Sequence, residues 1–405
     1  MTKTSLLHFP ANILLMILFS FLSVAAVIFT PGLPELSDEF NLSSAQTQWI
    51  MTIFLAGSAI GRIPYGALAN RFGRKRALFI GLYISLIGTL IIVFSETYFW
   101  LCLGRFIQAL GCASTLKITY TMIADLHAGA EATKVLGYLG IAYAFLPGIG
   151  TAISGYSMPA FGWKGGFWFF LIFNALVILA CLSLPETSKK RDLQALQVSP
   201  LLRGYSKQFT NVFLVFCSIL MGLTTAVLFI FAQEAPFIGI EMLGISSELY
   251  GVLYLIPALG IAAGSLSTSW LATKITPSAA MLLGIFLLFI GSLGMGLLLL
   301  VWENALSLFL PAIILQMGDM ILYNNASAAA LTEAKDKSNA SAVMLFINSC
   351  GGFLGTFIVG VFIPRSLLGM PMIFCLMTFI MFIIWFILHK RCEKIDKRVC
   401  EKSMN

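Results

Sequence analysis

Long apolar runs broken by brief polar stretches define this chain. About twelve runs fall at 11–31, 46–69, 77–95, 99–124, 135–157, 164–184, 210–233, 247–272, 278–301, 305–331, 339–363 and 368–389. A helix needs about 20 apolar residues to cross a hydrocarbon core. In lipid an unpaired backbone amide costs several kcal/mol, so every run is expected to be helical. Short connections make neighbouring helices antiparallel. The one long polar interruption, 185–208, carries Pro185, Lys189-Lys-Arg191 and Pro200. It is expected to be a cytoplasmic linker between a first six-helix half, 1–184, and a second, 209–405, which ends in a basic tail. The expected fold is an all-α integral membrane protein of twelve transmembrane helices in two pseudo-symmetric halves.

A repeat supports the division. Sliding the sequence by 203 residues brings Ser43-Ser44 onto Ser246-Ser247, Gly57 onto Gly260, Ala59 onto Ala262 and Gly61 onto Gly264. Leu68-Ala69 falls on Leu271-Ala272, and Arg71 on Lys274. Two such halves around a midplane cavity form a transporter architecture, with access alternating between the two sides.

Composition agrees with this setting, since 59% of residues are hydrophobic and 11% charged. Charge adds an orientation. With the N-terminus inside, twenty of the 25 Lys and Arg fall on the inner side, including Arg71, Arg74, Lys75 and Arg76 in one turn. Lys164 and Arg365 face out, while Arg62, Arg105 and Lys117 lie within helices. Both termini are therefore expected to be cytoplasmic. The net charge of +7 follows from this asymmetry and from anionic inner-leaflet lipid, without a nucleic-acid partner. The tail from His389 to Arg398 reads as a solvated anchor. The first run is long, lacks a small-x-small cleavage site and leads into Pro31-Gly-Leu-Pro34, so it is expected to be a helix rather than a signal peptide. The eight cysteines are dispersed, with no disulfide, CxxC or metal-ligand spacing, and no metal or cofactor is expected.

Several motifs resemble the major facilitator superfamily, and within it the twelve-helix drug:proton antiporters of the bicyclomycin-resistance type. The family's loop signature G-x-L-a-D-r-x-G-r-k is matched by Gly66, Leu68, Ala69, Arg71, Gly73, Arg74 and Lys75, with Asn70 in place of the aspartate. Arg105, Gln108 and Gly111 resemble the family's helix 4 pattern. Gly140, Pro147-Gly-Ile-Gly150 and Gly155 resemble a degenerate antiporter signature in helix 5. The resemblance implies that Gly66, Asn70, Arg71, Gly73, Arg74, Pro147, Gly148 and Gly150 take part in conformational gating. In the family the loop aspartate helps latch the halves on the cytoplasmic side. Asn70 brings no charge, so either a weaker latch or a simple geometric replacement is expected. The resemblance also implies a monomer in a bacterial inner membrane.

A charge in the bilayer costs at least ~2.5 kcal/mol, which makes each buried ionisable group a site candidate. Arg105 reads as a proton-coupling residue or a structural arginine bonded to helix carbonyls. Lys117 reads as a ligand for an anionic substrate, a carboxylate partner or a snorkelling lysine. Arg62 reads as a substrate ligand at the inner mouth or a latch between helices. Asp319 is the foremost titratable carboxylate of the second half, and Glu234 the second. Asp125 and Glu131 read as solvated or structural. Phe29, Tyr143, Phe145, Tyr254 and Tyr323 are aromatic candidates for stacking on flat substrates, and Asn325 is a polar candidate beside them.

The acid that the resembling subgroup usually carries in helix 1 is absent from Ala25-Ala-Val-Ile-Phe-Thr-Pro31. With Arg62, Arg105 and Lys117 set against Asp319 and Glu234, the cavity tilts toward anionic or zwitterionic cargo such as carboxylates or siderophores. The expected function is proton-coupled export of small organic molecules. The alternative is a proton symporter or facilitator importing an amino acid or carboxylate; a third reading is a non-transporting sensor. No Walker A loop, catalytic-triad spacing or zinc pattern points to an enzyme.

Overall fold

The computed structural model describes residues 3–126, 129–188, 198–332, 337–362 and 365–404. Its long helices are α1 Lys3–Val27, α2 Ser44–Phe72, α3 Arg74–Val93, α4 Tyr98–Leu126, α5 Gly129–Phe161 and α6 Gly165–Cys181. They continue as α7 Val212–Pro236, α8 Ser247–Leu271 with an irregular residue at Tyr254, α9 Pro277–Val301, α10 Ala305–Thr332, α11 Lys337–Phe362 and α12 Gly369–Met404. Two short helices, Leu33–Glu39 and Val198–Phe209, accompany them. No strand occurs among the described residues. Among the described residues eleven stretches are long and apolar enough to span a membrane, and Leu139–Cys181 combines α5 and α6. The layout is therefore the expected twelve helices.

Two element ends differ from expectation. The first helix stops at Val27, and a tight turn at Thr30–Gly32 leads into Leu33–Glu39, with prolines placed at the first turns, where a missing N–H costs nothing. The last helix does not stop at 389 but carries the backbone of the basic tail to Met404. Lys189, Lys190 and Arg191 of the linker and Lys335 lie outside the described residues.

The chain divides into two compact units, Met1–Val198 with Ser246–Leu255, and Ser199–Ile245 with Ile256–Asn405. In the first, a Cβ on Gly57 would lie 2.6 Å from the Phe106 carbonyl oxygen, and one on Gly61 2.8 Å from the Ala113 Cβ, so α2 meets α4 at its backbone. In the second, Gly264 takes the equivalent place, 2.6 Å from the Met317 carbonyl oxygen, and α8 meets α10. Ser43 and Ser246, paired by the same offset, each cap the helix that follows by accepting an N–H three residues on.

The repeat also reaches further than the aligned sequence suggested. Gly81 of α3 and Gly284 of α9 stand 203 apart, and a Cβ on either would lie 2.8 Å from a glycine carbonyl, Gly111 in one unit and Gly318 in the other. Without a hydrophobic drive between helices in lipid, such close backbone approach supplies the packing.

Candidate functional site

In the first unit Arg105 of α4 is fully buried. Its guanidinium donates to the Ala25 and Ala26 carbonyls of α1 at 2.9 and 3.3 Å, to Ile50 of α2 at 3.5 Å and to Gln108 Oε1 at 2.8 Å. Gln108 passes the chain on by donating to Thr89 Oγ1 of α3 at 3.0 Å. The ring centroids of Phe29 and Phe54 lie 4.3 and 4.2 Å from the guanidinium carbon. Arg105 thus ties α1 and α2 to α4 through backbone oxygens that a helix leaves weakly used. Phe29, expected as a stacking surface for cargo, is buried against Arg105 and Phe167 instead.

Lys117 lies farther along α4, half-buried, its ammonium resting over Gly66 of α2 so closely that a Cβ there would collide with Nζ and lie 2.9 Å from Cε. Among the described residues the ammonium has no hydrogen-bond or ion-pair partner. Arg62 shares the Gly66 face of α2 at i, i+4 spacing. One turn from Lys117, Tyr120 makes an edge contact with Phe19 at 5.1 Å, and Tyr143 of α5 meets the same ring at 5.8 Å. An ammonium one turn from a Phe–Tyr–Tyr cluster offers a charge and aromatic faces side by side. Tyr120 escaped notice in the sequence, though its three-residue spacing from Lys117 was a usable signal.

The loop motif builds a hydrogen-bonded turn within the same unit. Gly73 at φ 99° joins α2 to α3, in the left-handed region that glycine adopts without strain. Asn70 Oδ1 accepts from Arg74 Nη1 at 2.6 Å, and Arg74 Nε pairs with Asp125 Oδ2 at 3.4 Å. The first N–H groups of α3, from Arg74 and Lys75, donate to the Glu186 carboxylate at 2.9 and 3.2 Å. Lys75 Nζ donates to the Leu182 carbonyl at the end of α6, at 2.7 Å. Glu186 therefore caps a positive helix end, and no local sequence signal announced it. Replacing Glu186 by glutamine should cost about 0.5–1 kcal/mol and speed proteolytic nicking at Arg74–Arg76, measured by limited trypsinolysis; an unchanged rate would remove Glu186 from the turn. Arg71 stacks beside Phe72 at 5.7 Å.

On α5, Gly150 faces Val24 of α1 and Ile28 just beyond its end, while Gly148 faces Leu255 and Gly155 meets the Ser247 carbonyl of the α8 segment in the same unit. Thr151 donates to the Pro147 carbonyl at 3.0 Å, the residue whose ring interrupts the helix ladder.

The second unit holds Asp319, buried in α10, with Oδ1 lacking a partner. One turn earlier Gln316 is equally buried, with neither amide atom hydrogen-bonded. Asn325 donates to the Ile321 carbonyl at 2.8 Å, and Tyr323 is half-buried between them. Glu234, near the end of α7, is buried; Tyr254 belongs to the first unit, where it is buried beside Tyr250. Arg365 lies 3.3 Å over the Phe237 ring; burial lowers its pKa, while Glu234 and Glu241 act in the opposite sense. Lys117 and Arg62 are thus grouped in one unit, and Asp319 with Gln316 in the other.

Residues 13–356 match the family described as Major Facilitator Superfamily. The chain belongs to the major facilitator superfamily. Its family and fold are those of multi-pass membrane transporters, which are not enzymes. A protein of Rickettsia bellii called an uncharacterized transporter is 30% identical over 255 residues, 62% of this chain and 63% of the relative. The multidrug resistance protein MdtL of Shigella dysenteriae is 24% identical over 227 residues, 56% of this chain and 57% of that protein. The aligned stretches thus span about three-fifths of these curated relatives. The partially occluded, inward-open structure of the xylose transporter XylE from E. coli superposes with a TM-score of 0.74 at 14% identity, covering 94% of this chain and 97% of that one. That likeness is one of fold.

Proposed function

We propose that this superfamily member is a proton-coupled exporter of small organic molecules, working by alternating access, with cargo that is anionic or zwitterionic. The observation that carries the cargo class is the Lys117 ammonium, held over Gly66 without a partner among the described residues and beside Phe19, Tyr120 and Tyr143. A half-buried cation with no carboxylate to neutralise it favours a ligand that brings one. The coupling carrier in this reading is Asp319. Drug export draws support from the MdtL likeness, and siderophore or metabolite export from the charge balance. The chain resides as a monomer in a bacterial inner membrane, both termini cytoplasmic, with its basic loops on the anionic leaflet.

The test is uptake into everted membrane vesicles under an imposed pH gradient, using a panel of citrate-like carboxylates, lipophilic cations and amino acids. Gradient-driven uptake of a carboxylate should fall at least about tenfold in Lys117→Ala, the loss of one charge-assisted contact worth roughly 1.5–3 kcal/mol. Uptake of cations that ignores Lys117 overturns the cargo assignment. Accumulation only in right-side-out vesicles makes the protein an importer of amino acids or carboxylates.

A further inference from the structure

Native proteins leave few buried polar atoms without partners, and a cluster of them marks a place where a guest belongs. In the second unit three such atoms lie within one turn of α10: Asp319 Oδ1, Gln316 Oε1 and Gln316 Nε2. Gln316 and Asp319 are at i, i+3, on one face of the helix, and both are essentially unexposed. The neighbouring faces of α10 are closed, because Gly318 is packed against Gly284 of α9, and Met317 and Met320 against Gly264 of α8. The amides farther along α10 are already engaged, Asn324 donating to Thr268 Oγ1 at 3.4 Å and Asn325 to the Ile321 carbonyl at 2.8 Å.

The donor set selects the guest. An alkali cation takes oxygen ligands alone and would leave the buried Nε2–H donors without an acceptor. A water molecule uses both kinds, and a buried water typically makes about three hydrogen bonds. We infer that Gln316 completes the coupling site as a positioning residue: its amide holds a water molecule against the Asp319 carboxyl, and that water delivers and receives the transported proton. This rests on the reading of Asp319 as the proton carrier. When Asp319 is charged, the water donates to Oδ1. When Asp319 is protonated, its hydroxyl donates to the water, which donates to Gln316 Oε1 and accepts from Nε2–H. Only a proton is exchanged, and no bond between heavy atoms changes.

Among the described residues the titratable neighbour of the pair on α10 itself is Tyr323, one turn beyond Asp319 at i, i+4. The segment 256–271 of α8 and the whole of α9 carry none, α11 contributes Cys350 and, at its first residue, Lys337, and α7 contributes Cys217 toward one end and Glu234 toward the other. Glu234 lies on the turn after Phe231, whose ring meets Phe309 at 6.2 Å. Phe309 in turn stands about 15 Å along α10 from Asp319 at 1.5 Å per residue.

Infrared difference spectra of the full protein in liposomes, recorded across pH with no cargo, report a protonated carboxyl directly. Wild type should show a protonated-carboxyl band that is absent in Asp319→Asn and unchanged when sodium chloride is exchanged for choline chloride. Gln316→Met keeps volume and removes two unsatisfied atoms, so its melting temperature should hold or rise. The band should nevertheless change frequency, and its pH midpoint should move by at least about half a unit, a threefold change in proton affinity. An unaltered band in Gln316→Met overturns the role of Gln316 and leaves Asp319 as carrier. Identical spectra for wild type and Asp319→Asn overturn the carrier itself. A sodium-dependent band replaces the proton site with a cation site.

Discussion

Arg105→Ala should yield a chain that loses at least about 3 kcal/mol of stability and is recovered poorly from membranes, whatever its transport. Removing the guanidinium takes the donor from the Ala25 and Ala26 carbonyls at the end of α1, leaves Gln108 Oε1 unpaired and removes a second, longer contact from the Ile50 carbonyl, which keeps its place in the α2 ladder. A buried acceptor left unsatisfied costs about 1–3 kcal/mol, and the space between Phe29 and Phe54 adds a cavity term. Arg105→Lys keeps the charge but has one nitrogen for what a planar fork reached at several points, so it should fall nearer to alanine than to wild type. Thermal unfolding in detergent, followed by size-exclusion recovery, reads the result. A variant as stable as wild type but unable to respond to a pH gradient would return Arg105 to the coupling role its position also suggested.

The second large effect concerns Asp319→Asn. A gradient of about one pH unit is worth about 1.4 kcal/mol per proton, a tenfold accumulation of cargo. In vesicles the variant should lose that factor entirely and accumulate nothing above its own substrate gradient. Exchange of labelled for unlabelled cargo, which needs no net proton movement, should continue near the wild-type rate. Loss of both activities would make Asp319 a structural or cargo-binding residue, and retention of the gradient response would move coupling to Glu234 or elsewhere.

The helices were legible because apolar length in lipid leaves the backbone no alternative. Their ends were less so. Nothing in the composition of 389–404 distinguishes a solvated tail from a continuing helix, and Thr30–Gly32 looked like the end of a span. The repeat was readable at Gly57 and Gly61 because their partners sit at one constant offset. It faded at Gly111 and Gly318, which stand 207 apart rather than 203. Among site residues, single charges such as Lys117 and Asp319 stood out against an apolar background. Tyr120 was one tyrosine among many aromatics, and Gln316 an amide with no motif around it. Glu186 was hidden for another reason: its partners are Arg74 and Lys75, more than a hundred positions away. Pairings of that range are set by topology, which local pattern does not encode.

That last pairing orders events in time. Chains are made and inserted from the N-terminus, so α3 enters the membrane with its first N–H groups uncapped and stays so until Glu186, beyond α6, has left the ribosome. The turn carrying Gly73 is consequently among the first segments of the unit to be synthesised and among the last to be finished. A nascent chain arrested before Glu186 would display those four clustered cations in an unlocked loop.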